Sequence, residues 1–349
     1  MHRFERAVIL TAAGVVIVAG TRAASAIVAP FLLAVFVAIL ATPGFLAMRR
    51  RGISTATSLL VLMLALAGAG FAVANIVSAS VGEFTRHVPD YQKALVAQRE
   101  SLAKWLEARG VDIERLQLEE QLDPRSLLRY AGTMAAALSG LVGQGFLILL
   151  IVVFLLLELA ILPEKLQNLP GMGPDRWSRL EQTVLNVRRY SEIKTIMSLL
   201  TGLCIGLWAW VLGLDQVLLL AFLAFLLNYV PAIGSIVASL PAILIALTKF
   251  GPGTALACAA GYAAINIGIS NFLEPRVMGK RLGLSPLVVI ISIVFWGWML
   301  GPVGMLLSAP LTMAFKIALQ DDPDLGWIAV LLGASPSKES APTRRLARK

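Results

Sequence analysis

The chain has 349 residues, of which 58% are hydrophobic and 15% charged, with a mean hydropathy of +0.79. An ordinary soluble domain carries about 25% charged residues, so soluble, disordered and fibrous classes are excluded, and several apolar runs reach the roughly 20 residues that cross a bilayer as a helix. The net charge of +9 reads as membrane orientation and not as nucleic-acid binding, while Cys204 and Cys258 both lie in apolar runs and form no disulfide framework.

The first apolar run, Ala7 to Gly20, follows Arg3 and Arg6 and precedes Ala24-Ser25-Ala26, so it has two readings, a first span or a cleavable signal segment. Ile27 to Met48 is a span in either case and ends on Arg49-Arg50-Arg51. A third span is expected from Thr55 to Ser80, with Gly68 and Gly70 small enough to admit a neighbouring helix. From 81 to 137 the chain turns polar, and Val88, Tyr91, Leu95, Leu102 and Trp105 fall on one helical face, predicting an amphipathic extramembrane segment. Asp123-Pro124 starts a helix that becomes a span over 138–162, ended by Pro163.

After the break at Pro170–Pro174, a helix with Arg176, Arg179, Arg188 and Arg189 on its polar face suits an anionic membrane interface. It runs into a span over 195–212, where Gly202 and Gly206 have the GxxxG spacing of tight helix contact. Beyond it, two apolar arms, 217–228 and 235–248, flank Tyr229-Val230-Pro231-Ala232-Ile233-Gly234. Each is about 18–21 Å long, too short to cross about 30 Å of hydrocarbon. The design recurs after the span 254–272, where arms 287–300 and 305–317 flank Gly301-Pro302-Val303-Gly304. Breaks in matching positions predict two re-entrant hairpins of opposite orientation, their tips meeting near the midplane around a transported solute.

The fold expected is therefore an all-α polytopic membrane protein with six full transmembrane helices, two re-entrant hairpins and an extracytoplasmic helical segment. Its parts are scaffold helices at 1–80, the extracytoplasmic segment at 81–137, a span and interfacial helix at 138–194, a transport core at 195–318 and a largely disordered tail at 319–349. With both termini cytoplasmic, 20 of the 30 basic residues fall inside, as short inner loops require.

Enzyme chemistry finds no support. There is no phosphate loop and no HExxH, and His2 and His87 both lie outside the spans, so no metal and no cofactor is expected. Candidate substrate-binding residues are Asn228, Pro231, Gly234 and Ser235 at the first break, Asn266 and Asn271 in the intervening span, and Gly301, Pro302 and Gly304 at the second. An uncharged polar group at membrane depth must pair with something, so each asparagine has a packing role as its plain alternative. Glu192, Lys194, Glu274 and Arg276 are candidate coupling or gating charges, against interfacial solvation, snorkelling or a simple ion pair.

Tyr190-Ser191-Glu192-Ile193-Lys194-Thr195, Asn228-Tyr229-Val230-Pro231-Ala232-Ile233-Gly234-Ser235, Glu274-Pro275-Arg276-Val277-Met278-Gly279-Lys280-Arg281 and Gly301-Pro302-Val303-Gly304 with Ala309-Pro310-Leu311 resemble the autoinducer-2 exporter family of bacterial membrane transporters. The likeness covers the whole order of segments. It implies a homo-oligomer, described as a pentamer, whose protomers move a solute by an elevator-like shift of the hairpin-bearing part. Relatives are linked to autoinducer-2 export, to sodium/proton exchange, and to no assigned cargo. The expectation is a secondary exporter of a small polar solute, with autoinducer-2 as a candidate, in the bacterial inner membrane and in contact with lipid. A cation/proton antiporter and a non-transporting membrane scaffold are the alternatives.

Overall fold

The computed structural model describes residues 3–108, 140, 143–159, 165, 173–231, 233–278, 284–320 and 326–333. The described residues are helical apart from connections and a single bridge between Leu284 and Gly333. In chain order the helices are α1 (Arg3–Ala23), α2 (Ser25–Arg50), α3 (Thr55–Glu107), α4 (Gly145–Leu159), α5 (Pro174–Val211), α6 (Val217–Leu227), α7 (Ile233–Phe250), α8 (Pro252–Asn266), a π-turn (Ile267–Leu273), α9 (Glu274–Met278), α10 (Pro286–Gln320) and α11 (Gly326–Leu331). Of the tail expected to be largely disordered over 319–349, residues 319–320 and 326–333 are described, and Gly326–Leu331 is helical; the rest of it and most of 109–142 lie outside the described residues.

Among the described residues, six helices are long and apolar enough to cross a membrane: α2, Thr55–Ala79 of α3, Val184–Val211 of α5, α7, Pro252–Val277 and α10. Four of them, α2, Thr55–Ala79, Val184–Val211 and Pro252–Val277, are spans expected from the sequence, and α7 and α10, the latter counted across its kink, also reach the length. The expected span over 138–162 lies partly outside the described residues, and the one at the N-terminus falls within α1. The third span does not stop at Ser80. It runs on as one helix of 53 residues, about 80 Å long, so the span and the start of the amphipathic segment are continuous.

Both breaks are real and both make antiparallel hairpins. α6 and α7 pack through Leu220, Ala224, Ala238 and Ala242, and Lys249 closes their open end on Asp215 at 2.7 Å. α10 folds back on itself at Gly301, whose φ of 68° and ψ of −150° lie in a region essentially restricted to glycine. Across that second hairpin Trp296 Nε1 donates to Thr312 Oγ1 at 2.9 Å, and Thr312 Oγ1 donates to Ser292 Oγ at 2.8 Å.

Gly234 and Gly304 play the same part in the two hairpins. A Cβ at Gly234 would overlap the carbonyl of Leu227, and one at Gly304 the carbonyl of Trp296. Each returning arm thus starts with its backbone against the end of the outgoing arm, an approach that only glycine permits. The GxxxG stripe is used as expected: Cβ atoms at Gly202 and Gly206 would stand 2.8 Å from the Ala221 carbonyl oxygen and 3.0 Å from its Cβ. Gly68 and Gly70 are not, since a Cβ at either meets nothing within 4 Å.

Two of the apolar clusters each join several helices away from the tips. One joins α5 through α8 around Ile205, Ala209, Ile245, Cys258 and Tyr262. The other joins α2, α3 and α4 around Ala34, Phe45, Leu59, Val152 and Leu156. The two hairpin tips share a further cluster, in which Tyr229 of the first and Met299, Leu300 and Val303 of the second gather on Ala29 and Phe36 of α2, with Val18 of α1 packed against them. The Arg22 guanidinium stands 4.1 Å from the centre of the Trp298 ring, and the Tyr229 ring meets Phe36 edge-on at 5.9 Å.

Candidate functional site

The site is built on α5, which carries Ser191, Lys194, Thr195, Ser198 and Thr201 along one stripe at helical spacing. Ser191 and Thr201 satisfy themselves on carbonyls one turn earlier, at 2.8 and 2.9 Å. The others reach out. Lys194 Nζ donates to both carboxylate oxygens of Glu274 at 2.9 and 3.0 Å. Thr195 Oγ1 accepts from the Tyr229 hydroxyl at 2.7 Å, and Ser198 Oγ accepts from Asn228 Nδ2 at 3.0 Å. One helix thereby ties down the first hairpin tip and the end of the π-turn.

Beside this ladder lies a cavity of about 620 Å³. Tyr190, Lys194, Asn228, Pro231, Ser235 and Ser239 line it from α5, the first tip and α7. Tyr262, Asn266, Ser270, Asn271 and Glu274 line it from α8, the π-turn and α9, with Ile236, Ile243, Val289 and Ala309 among its apolar lining. Lys194 and Glu274, its charged members, neutralise each other. Asn266 Nδ2 donates to the Tyr262 carbonyl at 2.8 Å, and because a carbonyl only accepts, the amide orientation is fixed with Oδ1 turned away. That oxygen and the Tyr262 hydroxyl are buried without a hydrogen-bond partner among the described residues, although such groups normally have one.

Of the residues singled out from sequence, the fold brings Asn228, Pro231, Ser235, Asn266, Asn271, Lys194 and Glu274 to one cavity. Gly301, Pro302 and Gly304 are not in its wall, because their tip packs on α1 and α2. Gly234 is buried behind the wall, against Leu227. Glu192 pairs with Arg188, one turn back, at 2.7 Å, and Arg276 is exposed outside the cavity. The described backbone amides of the first tip are already paired. The amides of Asn228, Tyr229, Val230, Ile233 and Gly234 all donate to carbonyls within the hairpin at 2.7–3.3 Å, so polar contacts to a solute fall to side chains.

Sequence reasoning missed Tyr262, Ser239 and Ser270 in the wall and Ser198 and Thr195 behind it. The stripe on α5 had a readable signal, five hydroxyl or charged residues at spacings of three and four on a membrane helix. Tyr262 and Ser270 had none, because the π-turn decides which face of the helix they share.

A membrane-crossing bundle with two broken helical hairpins beside a polar, charge-balanced cavity has the architecture of a multi-pass membrane transporter. The model of the AI-2E family transporters matches residues 8–322, and the chain belongs to that family. It is 38% identical over 320 residues to the AI-2 transport protein TqsA of Escherichia coli K12, covering 91% of this chain and 92% of that protein. A protein of Haemophilus influenzae strain Rd is 37% identical over 336 residues, 94% of this chain and 96% of its own length. YhhT of Escherichia coli K12 is 33% identical over 328 residues, 94% of each.

Proposed function

We propose that this chain is a secondary transporter of a small, uncharged, hydroxyl-bearing solute held in the cavity beside Asn228, and that autoinducer-2 is the cargo to test first. The observation that carries this reading is the cavity's polar inventory. Its charges cancel at Lys194–Glu274, and Asn266 Oδ1 and the Tyr262 hydroxyl are buried polar atoms without partners among the described residues, suited to a solute that offers donors and acceptors but no net charge. The name of the relative TqsA supplies the cargo.

In this reading the core of α5 to α8 is the moving body and the core of α2, α3 and α4 the fixed one, in a homo-oligomer of the inner membrane with cytoplasmic termini. Support for the division comes from the separate clusters around Ile205 and Leu156. Purified protein in liposomes loaded with autoinducer-2 tests it: efflux above that of protein-free vesicles is expected, reduced by Asn266→Ala at equal folded protein, and no efflux rejects the cargo. A second reading, cation/proton exchange, is favoured by the buried Lys194–Glu274 pair at the cavity wall. Sodium-driven proton movement in the same vesicles distinguishes it.

A further inference from the structure

The helix from Pro252 to Met278 passes through its π-turn without a break: α8 ends at Asn266, seven residues follow in π geometry, and α9 begins at Glu274. An α-helix turns about 100° per residue, so eight α-helical steps would set Asn266 and Glu274 about 80° apart. A π-bulge takes up one extra residue, leaving the rotation of about seven steps and bringing the two side chains within about 20° of each other. This is why both reach the cavity and why Glu274 meets Lys194.

The segment is also lightly held. Ile269 is its one buried residue. Ile267 and Phe272 are 51% and 58% exposed, and a Cβ at Gly268 would meet nothing within 4 Å. Passing to α geometry would turn Glu274 about 100° off Lys194. Lys194, buried at the cavity wall, would then need an acceptor oxygen from the cavity's contents. Ser270 and Asn271, on the π-turn itself, line the same cavity.

We propose that Ile267–Leu273 is a register switch: in the π register Glu274 is locked on Lys194, in the α register it is released, and a solute whose oxygen takes over Lys194 favours release. The inference rests on the transport reading of this cavity, and it makes cavity occupancy and the ion pair two readouts of one helix.

Deletion of Gly268 tests it, because removing the extra residue gives a plain α-helix that still sets Glu274 on Lys194, now without a second register. The switch predicts that the full-length deletion variant folds and binds autoinducer-2 as the unaltered protein does, while its autoinducer-2 efflux from liposomes falls at least about tenfold. Gly268→Ala, which keeps the length, retains efflux. Unchanged efflux in the deletion variant overturns the switch.

If the unaltered protein moves no autoinducer-2, the cargo reading has failed and the switch is decided separately, as it is if the deletion variant does not fold. Lys194→Met/Glu274→Gln removes the electrostatic hold without stranding a buried charge. Amide hydrogen exchange at 268–274 should then quicken at least about tenfold while 256–264 stays unchanged. Equal exchange in both proteins marks the π-turn as a fixed spacer.

Discussion

Lys194 and Glu274, separated by 80 positions in the chain, meet with Nζ 2.9 and 3.0 Å from the two carboxylate oxygens, their side chains 6% and 14% exposed. Such a pair contributes little net stability when intact, but removing one partner strands a buried charge at a cost of about 3–5 kcal/mol. Glu274→Gln should therefore lower thermal stability in detergent clearly, and Lys194→Met/Glu274→Gln should recover most of the loss. Equal stability of Glu274→Gln and the unaltered protein would show that the pair is solvated.

Gly234→Ala and Gly304→Ala should each reduce folded yield, because the new methyl group would overlap a backbone carbonyl that cannot move independently of its helix. Overpacking of this kind costs about 1–3 kcal/mol or more. Gly301→Ala should behave alike for a different reason, its positive φ. Gly68→Ala and Gly253→Ala, where a Cβ meets nothing, should be neutral or gain up to about 1 kcal/mol from helix propensity. Size-exclusion yield and melting temperature across the five variants check the contrast.

Asn228 and Asn266 should separate structure from transport. Asn228 ties the first tip to Ser198 at 3.0 Å, so Asn228→Ala should lower stability by about 1 kcal/mol as well as efflux. Asn266→Ala also removes the unpartnered Oδ1, so stability should hold or rise while efflux falls. Parallel melting and efflux measurements decide this, and a variant pair that tracks stability alone would assign both asparagines to packing.

The hairpins were legible because proline and glycine interrupt apolar runs at matching positions, and the shared role of Gly234 and Gly304 follows from that match. Three things were not legible. Nothing in Ile267-Gly268-Ile269-Ser270-Asn271-Phe272-Leu273 distinguishes π from α geometry, since both expose the same residue types at almost the same spacing. The partner of Glu274 lies on another helix, whereas Arg276, two positions away, was the local candidate. The gathering of Tyr229 with Met299, Leu300 and Val303 depends on Ala29 and Phe36 of α2, whose apolar run shows no preferred partner in the sequence.

Orientation has its own test. Single cysteines at Lys104 and Arg179, in a background lacking Cys204 and Cys258, should label from opposite sides of the membrane, because short cytoplasmic loops collect the basic residues. Labelling of both from one side would overturn the layout.

The central claim is that the cavity beside Asn228 carries a solute across the membrane, and autoinducer-2 efflux from liposomes containing the purified chain tests it most directly. The account predicts saturable efflux above protein-free vesicles, reduced in Asn266→Ala protein that melts at or above the unaltered temperature. Efflux equal to that of protein-free vesicles, or efflux indifferent to Asn266→Ala, would contradict it.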